Sequence, residues 1–191
     1  MTTMTTMTTM TETTVNGIDT EALGAMVAAI RADDGEANVQ FRVRSDWQGQ
    51  TRSRATVEGY RLGGREIARR FAIDIDEPFE LCGANTQANP QEMLMAAVNA
   101  CMMVGYVANC ALRGIRLSSL SIEMEGELDL KGFLGLASVN PGYDQLRYTV
   151  RIAGDGTPEQ FREVHEAVMA TSPNFHNMAR AIAMKADLVI G

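Results

Sequence analysis

The chain has 191 residues, with 24 acidic against 17 basic side chains and a formal net charge of −7. That balance, with no basic patch standing out from it, argues against a nucleic-acid or anionic-membrane surface. The length suits one core rather than two. Three cysteines, an odd number, and the lack of a charged and then apolar leader point to a reducing cytoplasm rather than a disulfide scaffold.

Residues 1–18 open on MTTMTTMTTMTETT, in which methionine recurs at every third position from 1 to 10. Period three matches neither a helical nor a strand face, so this stretch buries too little to offset its ordering entropy. A mobile arm over 1–18 and a single domain over 19–191 are expected. Thr20 to Arg31 carries Leu23, Met26, Val27 and Ile30 at helical spacing. Val39, Phe41 and Val43 alternate with Gln40, Arg42 and Arg44, turn near Gln48-Gly49 and return over Thr51 to Val57, which is a hairpin. The arginines at 42, 44, 52, 54, 61, 65, 69 and 70 read as a solvated sheet face, and Gly63-Gly64 as a turn. A third strand, with Phe71, Ile73 and Ile75 alternating, runs into the loop DEPFELCGANTQANP.

The next segment dominates the chain. Met93 to Leu112 is an uncharged run of twenty residues. Asn89, Pro90 and Glu92 supply a cap, a first helical residue and a capping-box carboxylate, and Gly114 follows the cationic Arg113 as a stop. A helix over Pro90–Arg113 is predicted, apolar on nearly every face and therefore destined for a core or an interface. Its length meets the criterion for a membrane span. Asn99, Asn109 and the half-buried strand patterns on either side argue against one.

Two strands follow, one alternating at Leu120, Ile122 and Met124 and the other at Leu146, Tyr148, Val150 and Ile152, around the loop KGFLGLASVNPGYD. A helix from Thr157 carries Phe161, Val164, Val168 and Met169 and ends at Ser172-Pro173. Met184, Ala186, Leu188 and Ile190 alternate as a last strand. Strands grouped around helices without regular alternation make an α+β domain.

Cys101 lies in the middle of the long helix and is the candidate nucleophile, although an unpaired cysteine among methionines is equally a small core residue. Cys110, nine residues on, falls on the opposite helical face and reads as core. Cys82 lies in the preceding loop. Ser172 and His176 are close in sequence without a nucleophile elbow or an orienting acid, and His165 reads as solvated. Neither C-x-x-C nor H-x-x-x-H occurs, so no metal site and no cofactor are expected.

The stretch DEPFELCGANTQANPQEMLMAAVNACMMVGYVANCALRGI resembles the central segment of the OsmC and organic hydroperoxide resistance proteins, with an E-L-G-G-like loop, an N-P-x-E-like helix start and an A-x-x-A-C core. EMEGELDLKGFLGL, NPGYDQLRYTVRI and TSPNFHNM extend the resemblance over roughly Val39 to Ile190. It implies an intertwined α+β homodimer, in which long central helices pack against mixed β-sheets and the active sites lie at the subunit interface. It also implies a thiol peroxidase in stress defence, in which a helix cysteine attacks the peroxide, an arginine and a glutamate organise the site and a second cysteine resolves the product. Cys101 matches the attacking cysteine and Glu80 the glutamate. Arg61 matches the arginine, with Arg54 as competitor. Where peroxidase members carry a cysteine before proline, this chain has Ser172-Pro173, and a hydroxyl forms no disulfide. An external thiol reductant, or Cys82, then has to resolve the oxidised sulfur. The alternative is a non-catalytic dimer that binds a small hydrophobic ligand in its interface pocket, with Cys101 as lining.

Overall fold

The computed structural model describes residues 13–191. Of the arm expected over 1–18, residues 1–12 lie outside the described residues and the remainder opens the fold. β1 (Thr14–Val15) and β2 (Ile18–Asp19) form a hairpin whose Asn16 and Gly17 take φ of 53° and 79°. Left-handed residues at both central positions give the turn whose twist matches the strands. Asn16 fastens this hairpin to a distant segment: its amide nitrogen donates to the Ile115 carbonyl at 2.9 Å and its oxygen accepts from the Leu117 amide at 2.8 Å. α1 (Thr20–Ala32) follows, capped by the Asp19 carboxylate on the amides of Glu21 and Ala22. The expected apolar stripe on α1 buries no residue fully, and Met26 is half exposed.

A 3-10 turn over Asp34–Ala37 leads into β3 (Val39–Phe41), β4 (Arg44–Trp47), β5 (Ser53–Leu62) and β6 (Arg65–Ile75). β3 and β4 pair consecutive stretches of β5, and β6 pairs its other edge, all antiparallel. The single strand expected over Val39–Arg44 is thus broken at Arg42-Val43. The β5–β6 turn is Gly63-Gly64, both at positive φ, as the sequence predicts. The arginine-rich face is solvated and ion-paired: Arg44 with Asp46, Arg54 with Asp74, Arg61 with Glu66 and Arg65 with Glu36.

α2 (Pro90–Leu112) begins with the expected capping box, in which Asn89 and Glu92 each bind the other's backbone amide at 2.8 Å. The helix ends at Leu112, one residue short of the predicted end, with Arg113 as its C-cap. β7 (Leu117–Gly126) and β8 (Leu146–Gly154) pair in the register Leu120↔Ile152, Ile122↔Val150 and Met124↔Tyr148, which puts the six alternating apolar residues on one face. A short α3 (Leu130–Phe133) lies in the loop between them. α4 (Pro158–Thr171) and α5 (Pro173–Ala179) close the ordered elements. The helix from Thr157 ends at Ser172-Pro173 as expected, with Ser172 as the C-cap of α4. A further short helix that the sequence pattern does not announce begins there, with Pro173 at its first helical position.

One core holds these elements. Val98, Met102, Tyr106 and Cys110 project from one face of α2 onto Val164 and Val168 of α4 and onto the inner face of β7–β8. Tyr106 is 1% exposed, and its phenol is satisfied by His165 Nδ1, so the His165 ring, expected to be solvated, is engaged at one edge. Burial, and then the neighbouring Tyr148, pushes the Tyr106 phenol up to about 12.

The opposite face of α2 has no such cover. Val104 is 69% and Leu112 55% exposed, and Ala97 and Ala100 on the same side are also exposed. α2 is long and apolar enough to span a membrane by length and composition, yet its buried face is packed against protein. The β3–β6 sheet is equally bare, with Phe41 66%, Trp47 77% and Phe71 59% exposed.

The last strand expected at Met184–Ile190 does not form. Residues 180–191 carry neither helix nor strand, and Met184, Leu188 and Val189 are 85–90% exposed. A strand needs an edge to pair with and a face to cover, and within one chain this segment meets neither.

Candidate functional site

Cys101 stands at the boundary between the two faces of α2. Val98 and Met102 beside it belong to the core, whereas Ala97 one turn before and Val104 one turn after belong to the open stripe. The thiol is accordingly half-buried. Cys110 lies about 180° around the helix and is fully buried. Burial pushes its thiol up, with Arg113 opposing. Cys110 is a core residue, as its spacing predicts.

The polar partner of Cys101 is Ser172, whose hydroxyl donates to the sulfur at 3.5 Å. Helix register brings them together. α4 runs antiparallel to α2, and Gly105 lets it approach, since a β-carbon there would stand 3.2 Å from Val168 Cγ2. One turn further along α4 lies Ser172, and one turn back along α2 lies Cys101. Asn174 extends the contact, its side chain donating to the Ala97 carbonyl at 2.9 Å. The structure therefore places the position at which the sequence departs from its resemblance directly against the candidate nucleophile. No triad accompanies it: His176 Nε2 pairs with the Ala170 carbonyl.

The loop before α2 is organised by a residue that sequence reasoning missed. Alternation in β6 reads Asp74 and Asp76 alike as solvent-facing, but Asp76 is fully buried. Its carboxylate accepts from the hydroxyls of Thr51 and Thr86, both at 2.8 Å, and from the amides of Glu77, Ala84 and Thr86. Burial alone would push this carboxyl up, but the hydroxyls of Thr51 and Thr86 and the amides of Thr86 and Glu77 hold it well below the ordinary range. The available signal was an aspartate followed by a long stretch with neither strand nor helix pattern, whose amides need an acceptor. Gly83 completes the fold-back, because a β-carbon there would lie 1.7 Å from the Glu77 carbonyl oxygen. The neighbouring Glu77 has a buried carboxylate oxygen without a partner. Burial, then Asp76 and Glu92, pushes its carboxyl up.

This loop carries Glu80 in a 3-10 turn (Phe79–Leu81) and Cys82 just after it, both exposed. Cys82 sits at φ 64°, a left-handed conformation that costs a non-glycine residue about 1–2 kcal/mol. Its carbonyl accepts from Gln50 at 2.8 Å. All three cysteines are free thiols, so the loop does not join Cys82 to Cys101.

The arginines are elsewhere. Arg61 pairs with Glu66 at 2.8 Å, ten strand residues before Asp76, a separation of roughly 33 Å. Arg54 lies nearer the loop but is held in a fork by Asp74 at 2.6 and 2.9 Å. Among the described residues neither arginine, nor Glu80, bonds to the Cys101 sulfur.

A mainly apolar cleft of about 300 Å³ is lined by Val98, Met124, Tyr148, Phe175 and Met178 among others, and neither Cys101 nor Ser172 lines it. Val98 is one turn from Cys101 and Phe175 is three residues from Ser172. Among the described residues no cluster of histidine, cysteine and carboxylate side chains has metal-binding geometry.

Two expectations follow from this geometry. Asp76 has a depressed carboxyl, so its stabilising contribution is present above the ordinary carboxylate range near pH 4 and is lost as the pH falls below it. In acid-unfolding titrations Asp76→Asn should be less stable than the wild type at neutral pH, and the gap should narrow in acid. In the folded protein, iodoacetamide should modify Cys101 well before Cys110, as read by peptide mass spectrometry; equal rates would place both thiols in the core.

Comparisons with known proteins bear on the family and the fold. A family model described as OsmC-like protein matches residues 83–187, which includes Cys82's neighbour Gly83, all of α2 and Ser172. No curated protein matches the sequence significantly. Among solved structures, the chain resembles an OsmC-like protein from Mycoplasma pneumoniae at 13% identity and a TM-score of 0.57, with 73% of this chain and 87% of that one covered. It also resembles an OsmC-like protein of unknown function from Vibrio cholerae at 13% identity and a TM-score of 0.50, covering 72% of this chain and 92% of that one. At such identities the likeness shows the fold.

Proposed function

Because the chain belongs to the OsmC-like family, we propose that it reduces organic hydroperoxides with Cys101 as the attacking thiol, in defence against oxidative stress. The observation that carries this reading is the placement of Cys101. It is half-buried in the middle of α2, at the seam between core and open stripe, with residue 172 against its sulfur. A thiol sunk in the core reaches no substrate, and one fully in water lacks neighbours to steer it.

The Cys101 thiolate attacks the terminal peroxide oxygen, forming an S–O bond as the O–O bond breaks. The alkoxide leaves with a proton as the alcohol, and the sulfur becomes a sulfenic acid. Ser172 forms no disulfide and Cys110 is buried on the far face, so an external thiol closes the cycle. It displaces water to give a mixed disulfide, and a second thiol then regenerates Cys101. Cys82 is the internal alternative, and it requires the loop to bring the two Cα atoms within about 7 Å.

The site is completed by a homodimer in this reading. The open stripe of α2 packs against its counterpart in a second copy, because an exposed apolar face this long does not persist on a soluble monomer. The second copy supplies the arginine. Arg61 is the easier to recruit, since both partners of its ion pair are at least half exposed and such pairs hold weakly. Glu80, exposed on the loop that Asp76 fixes, completes the constellation.

The apolar cleft favours a second reading, in which the dimer binds a small hydrophobic ligand without turnover. Peroxide consumption separates the two. With dithiothreitol or a dihydrolipoyl thiol as reductant, the wild type should consume cumene hydroperoxide and Cys101→Ser should not. One equivalent of peroxide without reductant should leave mainly a trappable sulfenic acid at Cys101. A dominant Cys82–Cys101 disulfide would overturn the external-thiol cycle, and an unmodified Cys101 would leave only the binding reading.

A further inference from the structure

Ser172 sits where a helix-capping hydroxyl belongs and does not cap. As the residue before α5 it has the side chain most often used to bind the first free amides of a helix, yet it makes no side-chain bond to α5. The hydroxyl is instead turned onto the Cys101 sulfur at 3.5 Å, and the residue is 4% exposed. Its proton therefore has the sulfur as its acceptor in a place that water scarcely reaches. The backbone around it is fixed from three sides. The Ser172 amide donates to the Val168 carbonyl at 2.8 Å, the Ser172 carbonyl accepts from the His176 amide at 3.1 Å, and Asn174 is tied to α2 at Ala97.

We propose that Ser172 is a positioning residue for Cys101, a fixed hydroxyl donor that favours the thiolate and orients its lone pairs for attack. This rests on the peroxidase reading of Cys101 and deepens it. The chain exchanges a resolving thiol for a donor at the same place, and so works as a one-cysteine enzyme whose second substrate is a free thiol. Sulfur is a weak acceptor when protonated and a much stronger one when ionised, so the bond strengthens as the thiol loses its proton. Once a sulfenic acid has formed, the same hydroxyl faces the oxidised sulfur and offers it no thiol.

The test reads the thiolate without peroxide. Alkylation of Cys101 by iodoacetamide, followed by peptide mass spectrometry on the full-length protein, is compared for wild type, Ser172→Ala and Ser172→Thr. Removing a donor to an ionised group, with part of the loss returned through the greater intrinsic nucleophilicity of a more basic thiolate, should slow alkylation about three- to tenfold near neutral pH. The deficit should close as the solution is made alkaline, because base ionises the thiol with or without the donor. Ser172→Thr, which keeps the hydroxyl, should restore the rate. An alanine variant as fast as the wild type, or one slower by the same factor at every pH, overturns the proposal; the latter would be a purely structural effect.

Ser172→Cys checks the geometry independently. Diamide should oxidise the introduced thiol and Cys101 to a disulfide, taking up the two hydrogens itself, whereas two free thiols after diamide would contradict the contact. A protein whose alkylation follows the expected pattern but which consumes no hydroperoxide upholds the role of Ser172 and overturns the peroxidase reading.

Discussion

The structure depends on the two unlike faces of α2. Val98, Met102, Tyr106 and Cys110 bind the helix to β7–β8 and to α4, and that contact makes up most of the core cluster. The other face, with Val104 and Leu112, is left open. Every functional feature is set relative to this division, because Cys101 stands on the line between the faces. A shift of one residue either way would bury the thiol as Met102 is buried, or leave it in the open as Ala100 is. Register between helices does the remaining work: the close approach at Gly105 and Val168 fixes where Ser172 falls, and Ser172 falls on Cys101.

A second constraint holds the loop that enters α2. Fourteen residues from Asp76 to Asn89 carry no repeating backbone pattern beyond a single 3-10 turn, so their amides need acceptors of another kind. The buried Asp76 carboxylate takes five donors and gathers the loop into one conformation. Glu80 and Cys82 are presented by a segment anchored at both ends, through Asp76 on one side and the Asn89–Glu92 capping box on the other. The β3–β6 sheet carries the arginines, and its own apolar residues Phe41, Trp47 and Phe71 are bare in a single chain.

What the sequence made legible were the features set by local rules. The cap, the proline and the carboxylate at 89, 90 and 92 located the start of α2. Alternation at 120–124 and 146–152 gave both strands and the face they bury, and helical spacing assigned Cys110 to the core. The features it concealed depend on chain segments far apart. Asp76 alternates like a surface residue, and only the returning loop makes it a buried acceptor. The Cys101–Ser172 contact joins residues seventy-one apart, and nothing in the spacing of either reveals it; the resemblance marked residue 172 as unusual without saying what the hydroxyl touches. The resemblance points to Arg61 for the arginine, but its spacing in the sequence does not reveal that within one chain its partner is Glu66 on the same sheet. The alternating segment at 184–190 shows the converse: its pattern is that of a strand, but pattern alone supplies no neighbouring edge. Its exposed residues, like those of the sheet and of α2, are what a second copy would cover.

The most direct test of that account is site-directed cross-linking along the open stripe. Val104→Cys, introduced with Cys82→Ser and Cys101→Ser so that no other exposed thiol remains, should give a covalent dimer on mild oxidation at micromolar protein, visible on a non-reducing gel and reversed by dithiothreitol. A chain that stays monomeric on that gel and in light scattering would contradict the account, since the open face of α2 would then meet water and the site at Cys101 would have no second copy to complete it.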